Sequence, residues 1–305
     1  MTHDFSNVRT LVIGDVMLDE YVTGTVTRIS DEAPVSLLKY THTQQQLGGA
    51  AAVANIVAGL GANVVLIGVT GADDAAPDVV RLLTTRQIST ARLIKDHTRR
   101  TTVKRRYISH THAGQQLLRV DTEDTHAISE DVSQKIGEIS ATLDEFDVVL
   151  IADHGKGVCT EALRPLLAAM VLDHKLPVIV DPPRHGRWEK YQGVTGMTPN
   201  TAELAAFPDD PVTCLSLRWL AHTRDSHGID LCRPSAFDID RTNIATISRA
   251  VADVTGAGDT VLAVLGLCTA QGWDITDACR LANVAAGLQV ERHGVARITP
   301  EELEQ

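Results

Sequence analysis

The sequence predicts an α/β fold: a central, mostly parallel sheet with helices on both faces, and a smaller β-sheet beside it. Three observations carry this. Short continuous apolar runs, TLVIG (10–14), NVVLIGVTG (63–71), DVVLIAD (147–153) and LPVIVDP (176–182), read as strands buried on both faces. Helical stretches separate them, giving the β–helix–β alternation of a parallel sheet. The stretch 21–39 alternates apolar and polar residues instead, the pattern of a half-exposed sheet, to which 100–108 and 116–121 add further strands.

In chain order, the first strand ends at Gly14 and runs into Asp15 and Asp19 within GDVMLDEY (14–21). Short strands are expected from Tyr21 to Lys39, broken at Gly24 and Pro34. Gly48-Gly49 opens an Ala-rich helix, AAAVANIVAGLGA, ending at a Gly suited to a C-cap. RTTVKRRYI (100–108) and QLLRVD (116–121) read as strands, 129–142 as a helix with an acidic start, and a stretch near 160–174 as another helix. The strands at 147–153 and 176–182 both carry Asp at their ends, where ligands of such sheets bind. The stretch 201–250, with Pro208, Pro211 and Pro234, yields no clear elements. After it a Gly-rich turn in ADVTGAGDTVLAVLGLCTAQGW opens an apolar helix, and TDACRLANVAAGLQVERHG forms a second.

The 305 residues are 44% hydrophobic, enough for a large core, but only 4% aromatic, so that core is aliphatic. A net charge of -11 argues against general affinity for nucleic acid or anionic membrane; an anionic substrate needs a local basic pocket. Cys159, Cys214, Cys232, Cys268 and Cys279 lack C-x-x-C spacing and read as reduced thiols. No signal core or membrane-length apolar run is present, so a cytoplasmic protein is expected.

The sharpest local signal is Asp253-Val254-Thr255-Gly256-Ala257-Gly258-Asp259-Thr260. Small residues at 256–258 let backbone approach a ligand, and a helix N-terminus just after them is an anion site. Asp259 beside a phosphate would repel it unless it had a task, such as taking the proton of an attacking hydroxyl. The alternative is that Asp259 caps the helix and the glycines make a tight turn. Neither a Walker A loop nor a dinucleotide fingerprint is present.

With the rest of the chain, the octapeptide resembles the second signature of the ribokinase-like (PfkB) carbohydrate kinases. Gly14-Asp15, Gly48-Gly49, Thr198-Pro199-Asn200 with Glu203, and Thr223-Arg224 with Gly228 match in order. Within that family the chain is most similar to D-glycero-D-manno-heptose 7-phosphate kinases, including the kinase half of the bifunctional heptose kinase/adenylyltransferase. The segments carrying this are GDVMLDEY, SDEAPV (30–35), LGGAAAVA (47–54), QQLLRVD (115–121), ADHGKGV (152–158), MTPNTAEL (197–204) and ANVAAGLQVERHGVA (282–296). The resemblance implies one ribokinase-like domain over 1–305, with a lid from about 15–40 and 97–121. It implies transfer of the ATP γ-phosphate to the anomeric hydroxyl of heptose 7-phosphate. ATP and Mg²⁺ are the implied cofactors, K⁺ is a further candidate, and a homodimer is expected.

The roles implied are these. Asp259 resembles the base, and Gly256, Ala257 and Gly258 the anion hole. Asn200 and Glu203 resemble residues that organise Mg²⁺ through water, with helix capping after Pro199 as the alternative. Thr223, Arg224, Gly228 and Asn283 resemble nucleotide-pocket residues, and Asp253 and Thr255 a monovalent-cation site. Asp15 and Asp19 resemble sugar-hydroxyl contacts beside Gly48 and Gly49; a solvated loop carboxylate is the alternative for Asp19. In the basic run Arg99, Arg100, Lys104, Arg105 and Arg106, strand alternation puts Lys104 and Arg106 on one face and Arg105 on the other. Lys104 and Arg106, with Arg119 and Lys156, are the candidates for the acceptor phosphate, against an ordinary charged sheet edge. The chain departs from the heptose kinase pattern at Ala52, where Asn is usual and Asn55 is nearby. Pro183-Arg184 replaces the usual Lys, and the segment 204–222 is short.

Overall fold

The computed structural model describes residues 3–110, 114–207, 209–236, 238–246 and 251–304. Strand β1 (Arg9–Gly14) leads into the long hairpin of β2 (Val16–Ile29) and β3 (Ser36–Gly49). Then follow α1 (Ala50–Gly59), β4 (Asn63–Thr70), α2 (Ala76–Thr85), β5 (Leu93–Lys95), β6 (Thr102–Ser109), β7 (Gln115–Thr122) and α3 (Glu130–Gly137). Strand β8 (Val148–Ala152), α4 (Arg164–Ala168), β9 (Val178–Asp181), β10 (Gly196–Met197), α5 (Thr201–Leu204) and α6 (Pro211–Cys214) come next. The chain continues with β11 (Trp219–Thr223), β12 (Ile229–Pro234), β13 (Ile239–Ile244), α7 (Ala257–Ala270) and α8 (Ile275–Val290).

Nine strands form the large sheet in the order β13-β12-β11-β10-β9-β8-β1-β4-β5. It is parallel from β5 to β11, and the β12–β13 hairpin extends it antiparallel. Strand alternation divides the core. Val12, Leu66, Leu150 and Ile179 pack with α1, α7 and α8 on one face. Leu11, Ile13, Val149, Ile151, Val178 and Val180 face α3 and α4 on the other. Both faces are covered, which is why these strands read as unbroken apolar runs. The small sheet has the order β3-β2-β6-β7, with only β2–β6 parallel.

Several boundaries differ from the sequence expectation. The short strands expected over 21–39 are two 14-residue strands, and β3 continues through the polar run KYTHTQQQL to Gly49. Most of β3 is exposed, so no apolar alternation marks it. The small sheet therefore spans 16–49 and 102–122 instead of 15–40 and 97–121, with residues 111–113 outside the described set. Helix α2, buried at Val79 and Leu83, was not expected. The helix expected over 129–142 is α-helical only to Gly137 and then tightens to 3₁₀, and 160–174 mixes 3₁₀, α and π turns. The unread stretch 201–250 supplies α5, α6 and the sheet edge β11–β13. The expected cap of α1 is present: Gly61 follows the helix with φ +88°.

Candidate active site

The site lies beyond the C-terminal ends of β1, β8 and β9, at the N-terminus of α7. Gly256 is the N-cap of α7 in the left-handed region, φ +80°. The first intrahelical bond runs from Thr260 N–H to Gly256 O at 2.9 Å, so the amides of Gly258 and Asp259 precede the ladder. The Ala257 amide turns back to Val254 O at 3.3 Å, which leaves Gly258 as the better anion donor of the expected trio. A Cβ on Gly258 would meet nothing within 4 Å, so the turn is open beside this residue.

Asp259 sits in the first turn of α7 with its side chain 13% exposed, neither entombed nor turned out to solvent. Its Oδ1 is 4.0 Å from His154 Nε2. Ligand atoms of His154, Asp181 and Asp259 all lie within 4.8 Å of one another. Burial raises the Asp259 pKa; His154 and Lys104 oppose that, while Asp19 and Glu203 add to it. Asp181, at the end of β9, is pushed well up by burial and then by the Glu203 and Asp259 carboxylates. A cluster of acids strained in this way suits a hard divalent cation, so the side chains present fit Mg²⁺. His154 and Asp181 were not among the predicted site residues, although the Asp endings of the two strands were the available signal.

Asp15 corrects a prediction. It is 1% exposed, and its oxygens accept the amides of His154 (2.9 Å), Lys156 (3.0 Å) and Val158 (3.1 Å). Burial raises its pKa to about 6 despite these bonds. Asp15 is thus the clamp of the loop that presents His154, not a sugar contact. Asp153, at the end of β8, is also structural, taking the Tyr191 hydroxyl at 2.6 Å and Lys190 at 2.7 Å.

Asp19 is on β2, not on a solvated loop, and pairs with Arg106 at 2.5 Å. Arg106 also stands over the Tyr21 ring, 5.2 Å from its centroid. The Gly pair has a steric reason. A Cβ at Gly48 would come within 2.5 Å of Asp19 Oδ2. One at Gly49, where φ is +57°, would come within 3.3 Å of the His154 ring and 2.2 Å of Asp15 O.

Lys104 and Arg106 do share a face, opposite Asp19 and Tyr21 in register, while Arg105 pairs with Glu20 at 2.6 Å on the other face. Arg119 pairs with Asp121 at 2.7 Å and Lys156 with Glu123 at 2.7 Å. Arg99 and Arg100 are tied to Asp96 and Asp124. Among the described residues Lys104 has no ion-pair partner. It is therefore the cation of this group most open to an anionic ligand.

On the other flank, Asn200 and Glu203 form a complete capping box on α5: Asn200 Oδ1 takes the amides of Ala202 and Glu203, and Glu203 takes the Asn200 amide at 2.8 Å. Capping is therefore present, and burial raises the Glu203 pKa on the side facing Asp181. Thr223 bridges to Asn200, bringing the end of β11 alongside. Arg224 pairs with Asp230 at 2.7 Å, and Gly228 (φ +83°) lets Ile244 O approach where a Cβ would clash. Asn283 donates to Ile244 O at 2.8 Å and lines a groove of about 430 Å³ with Thr242–Ala245, Arg280 and Val284. The four predicted nucleotide residues thus share one region, with Arg224 and Asn283 already bonded within the protein.

Known proteins resemble this chain in sequence and in fold. The profile of the pfkB family carbohydrate kinases matches residues 9–302. The Bifunctional protein HldE of Geobacter metallireducens is 37% identical over 309 residues, covering 97% of this chain and 62% of that protein. The one from Methylococcus capsulatus is 38% identical over 318 residues, covering 98% and 64%. The chain thus spans about three fifths of the length of these relatives. Among solved structures, phosphofructokinase-2 from Escherichia coli in complex with potassium aligns with TM-score 0.75 at 17% identity, covering 97% and 96%. Arabidopsis thaliana ribokinase complexed with ribose and ATP aligns at 0.71 and 16%, covering 97% of each chain. These two share the fold.

Proposed function

This chain belongs to the pfkB family of carbohydrate kinases, and from that premise we propose that it phosphorylates D-glycero-D-manno-heptose 7-phosphate at its anomeric hydroxyl, using ATP. The observation that carries the reading is the placement of Asp259: a carboxylate with a raised pKa, in the first turn of α7, beside His154 and Asp181. In the reaction, Asp259 takes the proton of the acceptor hydroxyl as its oxygen attacks the γ-phosphorus. The Gly258 and Asp259 amides and the α7 dipole stabilise charge on the phosphoryl oxygens. Asp181 and Glu203 would hold Mg²⁺, which when bound neutralises phosphate charge. Lys104 attracts the 7-phosphate, and Asp19, oriented by Arg106, accepts from sugar hydroxyls.

The small sheet acts as a lid that excludes water. Exposed Leu118 and Val120 on one face of β7 support its pairing with a second copy in a homodimer. A cytoplasmic setting suits the ATP requirement. Among the described residues no helix is long and apolar enough to cross a membrane.

A second reading, a kinase for another sugar phosphate, is favoured by one observation. Ala52 is fully buried in the core, and the carboxamide oxygen of Asn55 is buried without a partner among the described residues, so this part of the acceptor side differs from the heptose kinase pattern. A panel of free and phosphorylated sugars, read by ADP release and product mass, tests both. Turnover with heptose 7-phosphate supports the first reading, and turnover confined to hexose substrates removes it.

A further inference from the structure

The resemblance leads to the expectation of a monovalent cation at Asp253 and Thr255, and the phosphofructokinase-2 named above was solved with potassium. The residues of this chain do not fit such an ion. Asp253 Oδ1 accepts both the N–H (2.9 Å) and the hydroxyl (2.7 Å) of Thr255. Its Oδ2 accepts the Gly294 N–H at 2.9 Å. The carbonyl of Thr255 takes a hydrogen bond from Gln289 Nε2 at 3.0 Å, and the same nitrogen donates to the Gly294 carbonyl at 2.5 Å. Gln289 Oε1 accepts the Ala296 N–H at 3.1 Å.

Gln289 is on α8 and is 0% exposed. Its orientation is fixed by its partners: the nitrogen meets two carbonyls and the oxygen meets an N–H, so a flip would oppose like with like at all three contacts. The Gln289 nitrogen is also 3.5 Å from where a Cβ on Gly256 would stand, so the amide lies directly under the turn that sets the α7 N-terminus. A cation at this place needs converging oxygen atoms with free lone pairs. Here an NH₂ group, with its positive partial charge, sits between those carbonyls.

We infer that the Gln289 carboxamide stands in for a monovalent cation, tying the 253–255 turn to the 294–296 segment so that the anion-binding turn is formed without K⁺. The inference uses the kinase reading only for its activity readout, and a second readout needs no turnover. In buffers of equal ionic strength with K⁺, Na⁺ or tetramethylammonium as the sole monovalent cation, ADP release by the wild type should agree within about twofold, and Tm should not change. Activation by K⁺ over tetramethylammonium of about tenfold or more, or a K⁺-dependent rise in the wild-type Tm, overturns it. Gln289→Val takes the partner from two carbonyls, one of them buried, and from an amide, and should lower Tm by roughly 5 °C or more in tetramethylammonium. A Gln289→Val protein that melts like the wild type there also overturns it. If no sugar is turned over, the proposed function fails while the Tm series still decides this point; if the variant does not fold, the wild-type series decides it.

Discussion

The two sheets carry charge in opposite ways. At the strand ends of the large sheet, Asp181, Glu203 and Asp259 crowd together and burial raises the pKa of each. On the small sheet most charges are answered within the sheet: Asp19 by Arg106, Glu20 by Arg105, Asp121 by Arg119. Acids that are costly to crowd together in isolation make a candidate ligand site, whereas ion pairs answered within the sheet fix the orientation of their side chains. Lys104, without an ion-pair partner among the described residues, is close enough to lower the Asp259 pKa.

The strongest way to break this contrast is Asp259→Asn, which should lower kcat by about 10²–10⁴-fold while ATP affinity, measured by calorimetry, changes little. Near-normal turnover would place the base elsewhere. The same group sets a pH dependence. Asp259 acts as its anion and its pKa is raised, so kcat/KM should fall as pH drops through a value above the ordinary carboxylate range.

Asp15 sharpens the contrast from the structural side. Asp15→Ala leaves three amides, one of them buried, without their acceptor and should cost about 3 kcal/mol, read by urea denaturation. The sign of its pH effect follows from its shift to about 6 in the fold. The folded state prefers the protonated form, so this contribution is fully present below the unfolded pKa of about 3.9 and is lost as pH rises through about 6. Wild-type stability should decline over that interval by at most about 3 kcal/mol, and Asp15→Asn should remove the decline.

Next in size, Lys104→Ala should raise KM for a phosphorylated acceptor by about tenfold or more while KM for ATP moves far less. Equal effects on both would take Lys104 out of the acceptor site. The smallest effect belongs to Arg105→Ala, on the opposite face with a partly exposed ion pair. Stability should change by about 1 kcal/mol or less, and kcat/KM should hold.

Legibility followed the same division. Strands buried on both faces announced themselves as apolar runs, and the 253–260 turn was readable because only small residues permit a left-handed cap. Strand β3 and helix α2 were harder, since one is mostly exposed and polar and the other is short and buried at few positions. The 211–244 stretch hid its strands because the edge hairpin β12–β13 is held by register, with little apolar alternation in β13. Asp15 and Asp19 look equivalent in GDVMLDEY, yet one faces three loop amides and the other an arginine on a neighbouring strand.

By itself the sequence determined what local pattern encodes: the parallel core, the glycine-shaped turn before α7, the alternation that puts Lys104 and Arg106 together, and the family. Tertiary structure alone decided which charges are spent and which are free, because pairing depends on atoms brought together from distant parts of the chain. His154 meets Asp181 and Asp259 only where loop, strand end and helix converge, and Gln289 reaches Thr255 and Gly294 only because α8 packs behind the turn. Hydrogen bonds and Coulomb forces act over a few ångströms in space, and the spacing of residues along a chain does not report that distance.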